Sequence, residues 1–241
     1  MAQFVCRYRK QEQVKWISHL DVKRTLERAM RRADLPLALT QGHNPHLKLS
    51  LGPPLAVGVT GDAEMFAIHL EAALPPDALK ERLNAQLPTG LAVTEAWVVP
   101  AYRKKETFGE IDVAEYRVAI QGGPAPDVMQ SRIAALLGSP QLVVQRGGER
   151  PERSVDLRPL IVSLQLADGS NDRIELRMRL RTGSHGGARP QEIIVLLGIE
   201  EGESLVTYHR TGIYASAEAA PRGAARPGRR WAQTRGGKER R

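Results

Sequence analysis

Two apolar runs in the second half of the chain restrict its fold most. Leu160, Val162, Leu164 and Leu166 recur at every second position, and Asp168-Gly169-Ser170-Asn171 then turns the chain. Ile174, Leu176, Met178 and Leu180 follow, alternating with Arg173, Glu175, Arg177, Arg179 and Arg181. A period of two puts successive side chains on opposite sides of a strand, so the segment predicts a hairpin with one apolar face and one charged face. The apolar face needs a covering layer, and helices are the natural cover for an antiparallel sheet.

The element order in which this hairpin sits occurs twice. In the first half, residues 4–9 read as a strand, and a helix from Ser18 to about Asp34 stops before Pro36. Short strands Leu37–Leu39 and Leu47–Leu51 flank a turn, Leu55–Val59 adds another, and Glu64–Glu71 alternates with Phe66, Ile68 and Leu70 on one face. Pro75-Pro76-Asp77 opens a helix carrying Leu79, Leu83 and Leu87, and Leu91–Val99 is a further strand. In the second half, Tyr116, Val118 and Ile120 mark a strand, and Ala125-Pro126-Asp127 opens a helix with Met129, Ile133, Leu136 and Leu137. Leu142–Val144 reads as a short strand and R-G-G-E-R-P-E-R as a polar loop before the hairpin; Arg189-Pro190-Gln191 opens a last helix, and Leu205 to Tyr214 is the last strand.

Each half therefore predicts a split βαβ order. The expected fold is α+β, with tandem ferredoxin-like repeats, antiparallel sheets and helices on one face. The expected organisation is a first half at 3–99, a charged linker at 100–112, a second half at 113–214 and a disordered basic tail at 215–241.

Charge is unevenly spread. The net charge is +8, and from Ser216 onward eight Arg and Lys residues stand against Glu218 and Glu239, so six of those charges lie in the tail. The single cysteine, Cys6, excludes an internal disulfide and a Cys-rich zinc or iron–sulfur site within this sequence. Apolar runs are too short to span a bilayer, and residues 1–10 show no long apolar h-region, so a cytoplasmic location is expected.

The stretch with most chemistry is Trp16 to Ser50. Ser18 and Asp21 have the spacing of a capping box. Val22, Leu26, Ala29, Met30 and Ala33 fall on one helix face, and Arg24, Arg28, Arg31 and Arg32 on the other. A row of guanidiniums is either a solvated face or a track for phosphate oxygens, which arginine forks match in pairs. The turn Q-G-H-N-P-H follows, with Gly42, Asn44, Pro45 and His46, then Lys48. His43 and His46 with His19 suggest three imidazoles for zinc, but Asn44-Pro45 separates two of them in a turn, so no metal and no cofactor is expected. His19, at the helix start, is a candidate phosphate contact or general base. Thr182-Gly183-Ser184-His185-Gly186-Gly187 precedes a helix but lacks the P-loop pattern.

These residues carry a resemblance. The run from R-Y-R-K through W-I-S-H-L-D and G-H-N-P-H to L-K-L-S, with P-L-A-V-G, L-N-A-Q-L-P-T-G-L and V-D-L-R-P-L, resembles the radical-SAM-associated (radical-SAM-linked) protein family, a domain of unknown function. The likeness spans about residues 3–213. It carries over only Ser18, His19, Asp21, Gly42, Asn44, Pro45 and His46, and departs from the family pattern at His43 and Leu47. Members are commonly encoded beside, or fused to, a radical SAM protein. The resemblance therefore implies an accessory, RNA-contacting or substrate-presenting partner of a radical SAM enzyme, without complete catalytic machinery of its own. The expected contact surface is Ser18, His19, Asp21, Arg24, Arg28, Arg31, Arg32, Gly42, Asn44, Pro45, His46 and Lys48. Two alternatives stand beside it: an endoribonuclease using His19 or His46, by loose analogy with the CRISPR repeat-processing enzymes of tandem ferredoxin-like fold, and a protein–protein adaptor.

Overall fold

The computed structural model describes residues 1–99, 108–147, 153–170, 173–183, 186–200, 202 and 204–216. Residues 100–107 of the expected linker and 217–241 of the expected tail lie outside the described residues.

The first half contains β1 (Ala2–Lys10), α1 (His19–Arg32), β2 (Leu49–Leu51), β3 (Val59–Leu70), α2 (Pro76–Asn84) and β4 (Leu91–Val99). The second contains β5 (Ile111–Gln121), α3 (Pro126–Gly138), β6 (Val143–Arg146), β7 (Arg153–Asp156), β8 (Ile161–Gly169), β9 (Arg173–Arg181), α4 (Pro190–Leu196) and β10 (Leu205–Ala215). The architecture is α+β, and both halves share one eight-stranded mixed sheet in the order β4-β1-β3-β10-β5-β9-β8, with β2 also paired to β3. Every pairing within that sheet is antiparallel except β3–β10, which is parallel over three residue pairs.

Both halves place their strands alike. In the first, β1 lies between β4 and β3, with β2 outside β3; in the second, β5 lies between β10 and β9, with β8 outside β9. Phe4, Cys6, Tyr8, Phe66, Ile68 and Leu70 meet Val22, Leu26 and Met30 of α1 and Leu79 and Leu83 of α2 in one core. Val118, Ile120, Leu176 and Met178 meet Met129 and Ile133 of α3 and Ile193 and Ile194 of α4 in the other. A register shift between Tyr8 and Lys10, opposite Glu64 and Gly61, inserts one extra residue into β3 and resets its alternation. Gly61 then shares the side of Tyr8 and Lys10, and Arg210, paired with Gly61, continues that side into the second half. All four helices consequently cover one face of the sheet.

Several local expectations are corrected. Leu55–Val59 is not a strand: β3 starts at Val59, and residues 52–58 form a loop against the sheet. Two consecutive prolines, Pro53 and Pro54, lack the N–H groups that a ladder needs. Leu37 and Leu39 form only isolated bridges, to Leu70 and Leu47. The expected polar loop supplies Arg146 and Arg153 to a separate two-stranded sheet, β6–β7. Leu87 lies beyond α2, and β5 starts at Ile111, two residues inside the expected linker.

Candidate functional site

The start of α1 forms as its sequence dictates. Ser18 Oγ accepts from the Asp21 backbone N–H (3.2 Å), and the Ser18 backbone N–H donates to Asp21 Oδ2 (3.3 Å), which completes the capping box. These side-chain and backbone bonds from Ser18, with the nearby Arg24 guanidinium, hold the Asp21 carboxyl below the usual carboxylate range. The apolar face of the helix is buried at Val22, Leu26, Ala29, Met30 and Ala33. On the opposite side Arg24, Arg28, Arg31 and Arg32 are exposed.

Those four arginines are not equivalent. Arg24 Nη1 pairs with Asp21 Oδ1 at 3.4 Å, and Arg32 donates to the side chain and carbonyl of Gln86. Arg28 and Arg31 have no hydrogen bond or ion pair among the described residues. Beside the capping box, Trp16 is 71% exposed and Leu20 52%, an uncommon display for large apolar side chains. The Trp16 ring lies against Gly58, where the positive φ of 81° favours glycine and an added Cβ would come within 3.1 Å of the indole.

His19 is half-buried, within electrostatic reach of Glu64, Arg210 and Lys10, unlike the exposed arginine row. Burial holds its imidazole below the usual histidine value; Arg210, Lys10 and Lys23 push the same way, against Glu64. The G-H-N-P-H turn is separate. Thr40 N–H donates to the His46 carbonyl (2.8 Å) and His46 N–H to Thr40 Oγ1 (2.9 Å), which pinches the neck of the turn. Residues 41–46 are exposed beyond that neck, with Gly42 at φ 140°. Lys48 is half-buried just before β2, with its ammonium 4.0 Å from Met1 Sδ. No hydrogen bond joins the turn to α1 among the described residues, and no group of three His, Cys, Asp or Glu there is placed to hold a metal ion.

The most heavily bonded charged group lies elsewhere. Arg210 is fully buried, and its Nε donates to Glu64 Oε1 at 2.7 Å, with a second bond from Nη2 to Oε2. Its remaining donors reach the carbonyls of Pro53 (2.8 Å) and Pro54 (3.1 Å). Burial alone would lower the Arg210 guanidinium, but Glu64 and the Tyr116 hydroxyl outweigh it and raise the value. Buried Lys10 donates to the carbonyls of Lys15 (2.9 Å) and Ile17 (3.1 Å), tying β1 to the segment that leads into Ser18. On the other face of the same junction, His209 Nε2 lies 3.1 Å from Asp62 Oδ2 and Nδ1 lies 2.8 Å from Thr60 Oγ1. None of these residues was singled out from sequence. The available signal was phase: Lys10, Glu64 and Arg210 fall in step with the apolar positions of their strands.

The family model described as "Uncharacterized protein conserved in bacteria (DUF2344)" matches residues 3–190, and the chain belongs to that family. No curated protein matches it. Among solved structures, it is similar to one titled "Crystal Structure of a Cbf5-Nop10-Gar1 Complex", with TM-score 0.47 and 11% identity over 87% of this chain and 48% of that one. A second, of an H/ACA RNP bound to a substrate RNA containing 2′-deoxyuridine, gives TM-score 0.45 and 13% identity over 87% of this chain and 47% of that one. A third, of an archaeal box H/ACA sRNP Nop10-Cbf5 complex, gives TM-score 0.43 and 11% identity over 86% and 46%. The chain thus spans about half the length of these three solved chains. Among the described residues, no helix is long and apolar enough to cross a membrane.

Proposed function

We propose that this chain is an accessory subunit of a radical SAM enzyme that contacts RNA, or presents a substrate, through α1 and the G-H-N-P-H turn. The observation that carries the reading is the pair Arg28 and Arg31. Both are exposed and unpartnered among the described residues, on a helix where Lys23, Arg24 and Arg32 all have hydrogen-bond or ion-pair partners. Unmatched guanidiniums on a rigid, capped helix are ready for phosphate oxygens. Trp16 and Leu20, next to the cap, favour the accessory part of the reading, because adjacent exposed apolar side chains suit a protein surface. The single cysteine in this sequence leaves a three-cysteine cluster motif to the partner. We also read each half as a ferredoxin-like unit, supported by the repeated strand placement, with β6–β7 as an insertion in the second.

The test is RNA binding by the full chain over a range of salt concentrations, with and without residues 216–241. Affinity should fall with salt, and Arg28→Glu with Arg31→Glu should lower the log–log slope by about 1.4, the single-strand value for two lost phosphate contacts. A wild-type chain without salt-dependent affinity refutes RNA contact; a variant that binds as wild type refutes the helix as the contact. A tagged chain should also capture a radical SAM protein, and Trp16→Ala with Leu20→Ser should lose it.

A further inference from the structure

We propose that the sheet face opposite the helices holds a binding site for a small phosphate monoester with a hydroxyl-bearing body, the chemistry of a sugar phosphate or mononucleotide. The site is a cavity of about 310 Å³ whose lining includes Thr60, Arg117, Arg173, Glu175, Thr207 and His209. That volume is at the lower end for small-molecule sites.

The charge pattern of this face carries the proposal. Arg7 pairs with Glu95 (3.1 Å), Arg9 with Asp62 (3.5 Å), Arg179 with Glu115 (2.8 Å) and Arg181 with Asp112. Arg117, Arg173 and Arg177 break that pattern: all three are exposed, and none has a hydrogen bond or ion pair among the described residues. Arg117 and Arg177 are moreover direct cross-strand partners between β5 and β9. Like charges set opposite each other destabilise a sheet. Carboxylates compensate the arginines around the cavity but leave Arg117 and Arg173 in its lining, with Arg177 across from Arg117, against one unpaired carboxylate, Glu175. A doubly charged phosphate placed between them removes the repulsion and accepts paired N–H donors.

The opposite wall is rigid. His209 Nε2 lies 3.1 Å from Asp62 Oδ2 and Nδ1 lies 2.8 Å from Thr60 Oγ1, whose hydroxyl also reaches the Tyr208 carbonyl at 3.2 Å. Both ring nitrogens are used, and the imidazole is held as a fixed side of the cavity. Thr207, exposed, and Glu175, half-buried, supply a hydroxyl and a carboxylate to bond ligand hydroxyls. A nucleic-acid strand fits less well. No exposed aromatic stands on β5, β9 or β10 for bases to stack on, and Glu175 lies between Arg173 and Arg177 on the same strand face, interrupting a phosphate track.

The experiment is amide NMR and calorimetry on the full chain with three probes: ribose 5-phosphate, inorganic phosphate and octauridylate. Ribose 5-phosphate should shift resonances of Arg117, Arg173, Thr207 and His209. Arg117→Gln with Arg173→Gln should weaken it at least tenfold while leaving the remaining spectrum folded. Glu175→Gln should weaken ribose 5-phosphate but not inorganic phosphate. Arg28→Glu with Arg31→Glu, on the helix layer, should leave the site unchanged, which separates this site from the helix reading. Absence of shifts at millimolar ribose 5-phosphate, or equal affinity in the double variant, overturns the proposal. Inorganic phosphate binding as tightly as ribose 5-phosphate overturns the hydroxyl-bearing body. Octauridylate displacing ribose 5-phosphate at far lower concentration overturns the small ligand in favour of a polynucleotide.

Discussion

Glu64→Ala tests how the two halves of the sheet are held together. The substitution removes both carboxylate oxygens that face Arg210, a side chain with no solvent exposure. The guanidinium then keeps only the Pro53 and Pro54 carbonyls and the Tyr116 hydroxyl as partners. Leaving one member of a buried pair uncompensated costs about 3–5 kcal/mol. A large share of a typical domain stability of about 5–15 kcal/mol is at stake, so the variant should unfold early or lose cooperativity. The assay is urea unfolding followed by circular dichroism, with the midpoint and slope compared with wild type. The partner substitution makes the reasoning sharp. Glu64→Leu with Arg210→Met removes both charges, and such replacements are often neutral or stabilising by about 1–4 kcal/mol. The double variant should therefore recover most of what Glu64→Ala loses. A loss below about 1 kcal/mol for Glu64→Ala shows that water or local rearrangement solvates Arg210, and the junction is then not a sealed ion pair. A double variant as unstable as the single one places the cost in packing rather than in charge.

Other expectations follow from the same geometry. Gly61→Ala would put a Cβ within 2.6 Å of Glu64 Oε1 and should destabilise by disturbing the same pair, read as a lower urea midpoint. Ser18→Ala should cost about 1 kcal/mol by uncapping α1, measured by thermal unfolding. Since the Asp21 carboxyl is held below its usual range, its contribution is present above its unfolded value of about 3.9 and is lost as pH falls through the lower folded value; Asp21→Asn should flatten that part of the acid-stability profile. His19, lowered by burial, binds its proton more readily unfolded, so stability should decline as pH falls from about 6.5 toward the folded value. His19→Gln should remove that slope, and a slope identical in the variant means another group is responsible.

The parts of the fold legible in sequence are those fixed by near neighbours. The α1 cap needs only Ser18 and Asp21, and its burial needs only the spacing of Val22, Leu26 and Met30. The β8–β9 hairpin needs only alternation and a turn. The start of β3 fails that logic because the extra residue between Gly61 and Glu64 breaks the period, and Thr60-Gly61-Asp62 is polar. The loop at 52–58 looks apolar enough for a strand, yet its carbonyls serve Arg210. His209 lies 147 and 149 positions from Asp62 and Thr60 in sequence, so no local pattern announces their contact. The arginine row was visible in sequence, but which of its members are unmatched was not, since Arg32 finds its partner, Gln86, beyond the end of α2.

The position of β10 has a consequence for synthesis. The last strand enters the middle of the sheet, between β3 and β5, so the two halves are joined there only after residues 205–215 have been made. Until then β3 at residues 59–61 and β5 along its length each present an unpaired edge, and Glu64 waits for its hydrogen-bonded partner Arg210. A ribosome that stalls before that strand emerges leaves two sheet fragments with complementary open edges on one chain. Between neighbouring nascent chains, the same edges are a route to exchange of the last strand.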